Sequence, residues 1–248
     1  MHLERITQLT ATDDHNIPAY ALSPGFAHGG AVLIPPYGST KEHMLGIAAA
    51  LAQAGIATLS IDLCGHGDNR TAIGPVMLDE VECAVRYMHR FGRTAAVGIS
   101  LGGRLALMSS ADRMVAISPP VVAAISPQGK WMFENFPSPA VHEPYPGYVM
   151  ELLEALGPVR SHRRHCLLLY AERDIPAILE GAAGLQAALP NSELRYITTD
   201  LHPDIQDDNG LIQYLPRWFN HGELEFNHQV LAVTAKWLGE HWGKTHSV

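Results

Sequence analysis

Short apolar runs separated by amphipathic stretches recur along this 248-residue chain, and that alternation restricts its fold more than any other feature. Residues 31–34, 56–61, 94–99, 113–117, 166–170 and 194–198 read as strands, and 31–34 is of the continuous apolar kind that is buried on both faces of a parallel sheet. The intervening segments have helical spacing. A helix with Met44, Ala48 and Leu51 on one face opens at a capping box formed by Ser39 and Glu42, and Gly55 ends it. A second carries Val81, Val85 and Met88 to about Phe91 and closes at Gly92. Pro176 suits the first position of a helix carrying Ile178, Leu179, Leu185 and Leu189, and Val230, Val233, Trp237 and Leu238 mark a terminal one. Residues 3–10 and 17–22 form a hairpin pattern around Asp13-Asp14-His15-Asn16. Repeated strand–helix alternation implies right-handed crossovers, hence an α/β fold with a mainly parallel central sheet and helices on both faces. With no linker or repeat, residues 1–248 read as one domain.

Regularity lapses twice. Between Ser118 and His165 lie eight prolines and the aromatics Trp131, Phe133, Phe136, Tyr145 and Tyr148, far more chain than a crossover of about a dozen residues requires. A long insertion in a compact domain is usually a lid or binding loop. Its aromatic content favours an ordered apolar lid over about 119–160, with a short helix near 148–156. The second irregular stretch runs from about Asp204 to Phe226.

Bulk properties exclude several function classes. A net charge of −8 without a basic run argues against nucleic acid or an anionic membrane as partner. No apolar run is long enough to span a bilayer, and Met1-His2-Leu3-Glu4-Arg5 lacks the apolar core of a signal peptide. Cys64, Cys83 and Cys166 are scattered and odd in number, which suits reduced thiols and a cytoplasmic location rather than a disulfide framework. His162 and His165 beside Cys166 have two arginines between them and read as a solvated loop, so no metal is expected.

Chemistry concentrates in one place. Gly98-Ile99-Ser100-Leu101-Gly102 follows an apolar strand and precedes a helix. G-x-S-x-G in that context is a nucleophile elbow: a strained strand-to-helix turn whose flanking residues must be small for the helix to pack against the strand. A serine in such a turn could be merely structural, but the glycines on both sides then have no simpler explanation.

From these residues onward the sequence resembles the α/β-hydrolase superfamily over nearly its whole length. The segment from Val32 to Asp68 is similar to the family's "HG-x-G … D-x-x-GHG" region, and Gly98 to Gly102 to its elbow. Asp174 follows one strand and His202 the next, in the family's order of nucleophile, acid and histidine. The resemblance implies Ser100 as nucleophile, His202 as general base and acid, and Asp174 as the carboxylate that holds the imidazole tautomer. Glu172 competes with Asp174 in the same loop; His221 and His228 follow His202, with His228 next in rank. The implied oxyanion donors are the backbone N–H groups of Leu101 and Tyr37, since Pro35-Pro36 replaces the family's His-Gly and proline has no N–H. Asp62, Gly65, His66 and Gly67 read as loop-shaping.

The resemblance therefore implies a serine hydrolase cleaving a small carboxylic ester through an acyl-enzyme, with no cofactor or metal, and the lid aromatics suggest an apolar group on the substrate. Thioesterase, amidase, peptidase or acyltransferase chemistry remains open on the same fold, as does ligand binding without turnover. The exposed helical lid leaves homo-oligomerisation open as well.

Overall fold

The structure is a computed structural model that describes residues 1–121, 126–143, 148–198 and 211–242. Eight strands form one sheet: β1 (His2–Ile6), β2 (Ala19–Ser23), β3 (Gly30–Ile34), β4 (Ala57–Ile61), β5 (Thr94–Ile99), β6 (Arg113–Ile117), β7 (His165–Ala171) and β8 (Ser192–Ile197), in the order β1-β2-β4-β3-β5-β6-β7-β8. Pairing is parallel from β4 through β8, while β2 pairs antiparallel with both β1 and β4. Every residue of β3, β4 and β5 is buried; β3 is accordingly apolar on both faces, whereas β4 alternates and buries the hydroxyls of Thr58 and Ser60.

The strand period of two sorts these side chains between two layers. Val32, Ile34, Leu59, Ile61 and Ala96 face α2 (Met77–Met88) and α3 (Leu101–Met108). On the same side Met114, Ala116, Leu168 and Tyr170 pack on α6 (Pro176–Ala188). Ala31, Leu33, Val97, Val115 and Leu167 face the other way, onto α1 (Leu45–Gln53) and α8 (His228–Trp242). The sheet is thus covered on both faces, and the carboxyl ends of the parallel strands open onto a common edge where such folds place their sites.

The insertion between β6 and β7 contains two helices. The first, α4 (Pro127–Asn135), starts at Ser126, whose Oγ accepts from Gly129 N–H at 3.1 Å, with Pro127 in the first turn. The second, α5 (Tyr148–Leu156), matches the expected helix in that segment. Buried Arg104 of α3 donates to Leu153 O at 3.0 Å and to Gly157 O, occupying carbonyls at the carboxyl end of α5. Residues 138–143 lie along the loop after β4: Val141 bridges His66, Gly67 N–H donates to Ala140 O and His142 N–H to Gly65 O. The insertion is tied down at both ends.

Two local expectations differ from what forms. Ser39 and Glu42 do not build a capping box. The helix begins at Leu45 without a side-chain cap, and the Ser39 hydroxyl instead donates to Glu225, far along the chain, at 3.0 Å. Part of the stretch expected to be irregular is a helix, α7 (Leu211–Gly222), although Pro216 stands inside it. By contrast Asp62, Gly65, His66 and Gly67 lie in a tightly bonded loop. The Asp62 carboxylate accepts from Lys41 N–H, Lys41 Nζ and Asp68 N–H, while Gly65 and Gly67 take φ values of 74° and 54°.

Candidate active site

Ser100 sits between the last residue of β5 and the first of α3, with φ 51° and ψ −118°. A non-glycine residue seldom holds that conformation, and here its surroundings enforce it. Its N–H donates to Ile117 O at 2.8 Å and its carbonyl accepts from Arg104 N–H at 3.1 Å. The glycines explain themselves sterically. A Cβ on Gly98 would lie 2.0 Å from Gly102 O, and one on Gly102 would lie 2.2 Å from Ile34 O and 2.6 Å from Pro35 O. Only hydrogen fits at either place, so α3 can start hard against β3 and β5 and push the serine side chain out over the sheet edge.

Asp174 follows β7 and is fully buried. Its Oδ1 accepts from Ile175 N–H at 2.7 Å and lies 2.8 Å from His221 Nδ1. The other nitrogen of that ring, Nε2, lies 2.9 Å from Ser100 Oγ. Ser, His and Asp therefore form one continuous hydrogen-bonded chain in which Nδ1–H donates to the carboxylate, leaving Nε2 to accept the hydroxyl proton. His221 occupies the last turn of α7.

The rivals are elsewhere. Glu172 is exposed and accepts from Thr198 Oγ1 at 3.2 Å. His228 is exposed at the start of α8. His202 lies outside the described residues. The imidazole placed between Asp174 and Ser100 is that of His221, and a single ring with both nitrogens engaged fills the position. Sequence reasoning named His221 among the histidines after β8 but ranked it behind two others. Nothing in its immediate neighbours, Asn220 and Gly222, raises its rank, because it reaches the serine only through the helix that carries it.

Ser100 and His221 open into a cavity of about 300 Å³. Tyr37 and Leu101 line it beside the serine, and Leu101, first in α3, has an N–H that no carbonyl of its own helix can reach. The turn holding Tyr37 is closed by Ser39 N–H donating to Pro36 O at 3.2 Å, with Gly38 at φ 84°. The insertion supplies much of the apolar wall through Phe133, Phe136, Val149, Met150 and Leu153. Phe133 packs edge-on against Trp218 of α7 at 4.9 Å and against Tyr37 at 5.8 Å, so one ring joins the insertion, the turn of Tyr37 and the helix of His221. Buried His66 meets Tyr37 edge-on at 5.2 Å and bonds through Nδ1 to Cys64 O, and burial holds its pKa below the usual histidine value. Among the described residues no three His, Cys, Asp or Glu side chains cluster to hold a metal, and no helix is long and apolar enough to cross a membrane.

A sequence model of the alpha/beta hydrolase family matches residues 25–239. No curated protein matches the sequence. Among solved structures, an esterase from Pyrococcus furiosus superposes with a TM-score of 0.67 at 17% identity, over 98% of this chain and 92% of its own. A thermophilic esterase from Thermogutta terrifontis gives 0.62 at 14%, covering 96% and 98%. A hyperthermophilic esterase from Pyrobaculum calidifontis gives 0.62 at 18%, covering 95% and 86%. These likenesses establish the shared fold.

Proposed function

Because the chain belongs to the alpha/beta hydrolase family, we propose that it is a serine hydrolase that cleaves carboxylic esters through an acyl-enzyme. The observation that carries this reading is the hydrogen-bonded run from Asp174 Oδ1 through His221 to Ser100 Oγ, at 2.8 and 2.9 Å. A serine hydroxyl is a weak nucleophile near neutral pH and needs a base within hydrogen-bond reach. His221 Nε2 takes the hydroxyl proton as Oγ adds to the ester carbonyl, and Asp174 holds the tautomer and steadies the imidazolium. The oxyanion is met by the N–H groups of Leu101 and Tyr37, each worth about 3 kcal/mol in the transition state. The imidazolium then protonates the departing alkoxide, leaving an acyl group on Ser100. Water repeats the sequence: it loses a proton to His221, adds to the acyl carbonyl and releases the acid and free Ser100.

The apolar wall suits an aliphatic or aromatic portion of the substrate, and the ester bond is favoured by the names of the superposed structures, all esterases. A fluorophosphonate probe tests the nucleophile. Peptide mass spectrometry is expected to place the label on Ser100, with none on Ser100→Ala. A folded wild-type protein that takes up no label would favour ligand binding without turnover.

A further inference from the structure

The cavity contains a group that ester hydrolysis does not need. Of the serines that line it apart from Ser100, Ser126 caps α4 and Ser138 donates to Gly38 O, so both are used locally. Glu225 is different. It lies in the turn between α7 and α8, is 5% exposed, and borders the same cavity as Ser100 and His221. Its Oε2 accepts from Ser39 Oγ at 3.0 Å, whereas for Oε1 the nearest ionisable partner is His43 Nδ1 at 3.9 Å. No lysine or arginine is among the described residues lining the cavity. The two imidazoles that line it are already engaged, His43 Nδ1 with Ser39 Oγ at 2.6 Å and His221 with Ser100 and Asp174. Burial pushes the Glu225 carboxyl above its ordinary range, opposed by the two histidines and the Ser39 bond.

Placing a carboxylate in such a spot is costly unless something compensates for it. Its bond to Ser39 joins the loop after β3 to the α7–α8 turn, but a glutamine amide oxygen could accept that bond equally well. What only the carboxylate supplies is negative charge in a cavity of low dielectric whose described lining holds no lysine or arginine.

We propose that Glu225 determines specificity by binding a cationic group, so that the preferred esters carry an ammonium centre on their acyl or alcohol part. This inference rests on the serine hydrolase reading. Two pairs of near-isosteric esters that differ only in charge test it. One pair is acetylcholine and 3,3-dimethylbutyl acetate; the other is methyl 4-(trimethylammonio)butanoate and methyl 5,5-dimethylhexanoate. Hydrolysis is followed at pH 8 in a pH-stat for the wild type and Glu225→Gln. In at least one pair the wild type is expected to favour the cationic ester by about tenfold or more in kcat/KM, and the ratio to fall close to one in the variant. A ratio near one in both wild-type pairs overturns the proposal, as does a preference that survives in Glu225→Gln. Competition in the wild type alone provides a second test that does not depend on the variant folding. Choline is expected to inhibit hydrolysis of p-nitrophenyl butyrate with a Ki about tenfold below that of 3,3-dimethylbutan-1-ol, and equal values contradict the proposal. Failure of the wild type to hydrolyse p-nitrophenyl butyrate and all four of these esters would instead remove the hydrolase reading, and this inference with it.

Discussion

The elbow glycines allow a sharp test, because none of the three glycines at 98, 102 and 103 has a positive φ and space alone decides what each tolerates. In Gly102→Ala the new methyl would meet two backbone oxygens, at 2.2 and 2.6 Å, and neither Ile34 nor Pro35 can swing aside as a side chain would. Reaching ordinary contact requires α3 to lift from β3 by about 1 Å, which places the substitution at or beyond the upper end of overpacking costs, about 3 kcal/mol. Alanine's helix propensity returns about 1 kcal/mol of that. The net loss expected is about 2 kcal/mol or more, with Gly98→Ala similar. Gly103→Ala meets its nearest atom at 3.1 Å and needs only a few tenths of an ångström, so it should stay within about 1 kcal/mol of the wild type. Gly184→Ala in α6 meets nothing within 4 Å and should gain up to about 1 kcal/mol. Urea midpoints at constant m measure all four. Because Ser100 rides on the displaced turn, Gly102→Ala should also lose about a hundredfold in activity. If Gly98→Ala and Gly102→Ala cannot be told apart from Gly103→Ala, the close approach of α3 to the sheet is wrong.

Other perturbations have defined outcomes. Lys41 is buried with its Nζ 2.7 Å from Asp62 and 3.0 Å from Asp68, so Lys41→Ala strands the fully buried Asp62 carboxylate. It should cost about 3–5 kcal/mol by urea denaturation, and a loss under about 1 kcal/mol would refute the pairing. Asp174→Asn should lower kcat about 10⁴-fold while leaving the circular dichroism spectrum unchanged, as expected when the imidazole loses its tautomer lock. His66 has a lowered pKa in the folded state, so the unfolded chain binds its proton first. Its contribution is intact above the unfolded value near 6.5 and is lost as pH falls below it. The drop in urea midpoint from pH 7.5 to 5.5 should therefore be smaller in His66→Gln than in the wild type, and an equal drop would exclude His66 as a source.

What the sequence made legible was whatever depends on neighbours along the chain. Residues 113–117 coincide with β6 and the stretch leading to the elbow with β5, because the apolar run of a central strand stands out from the turns that bound it. The elbow was legible because its steric demand falls on residues two before and two after the serine. The misses arise where a distant partner or a proline overrides the local pattern. Ser39 matched a capping box, yet its hydroxyl is claimed by Glu225 from the far end of the chain. Ser126-Pro127 begins α4, but that start was hidden in a segment dense with prolines. Pro216 made residues around it look irregular, although a helix runs through them to His221. All three candidate histidines have the same chemistry, and only the path of α7 separates the one that reaches Ser100.

The relay from Asp174 through His221 to Ser100 is tested by the kinetics of p-nitrophenyl butyrate hydrolysis in His221→Ala and His202→Ala. A fall in kcat of about 10⁴-fold or more is expected for His221→Ala with the fold retained, and only a minor change for His202→Ala. A His221→Ala enzyme that keeps most of its activity, or a His202→Ala enzyme that loses it while still folded, would contradict the assignment.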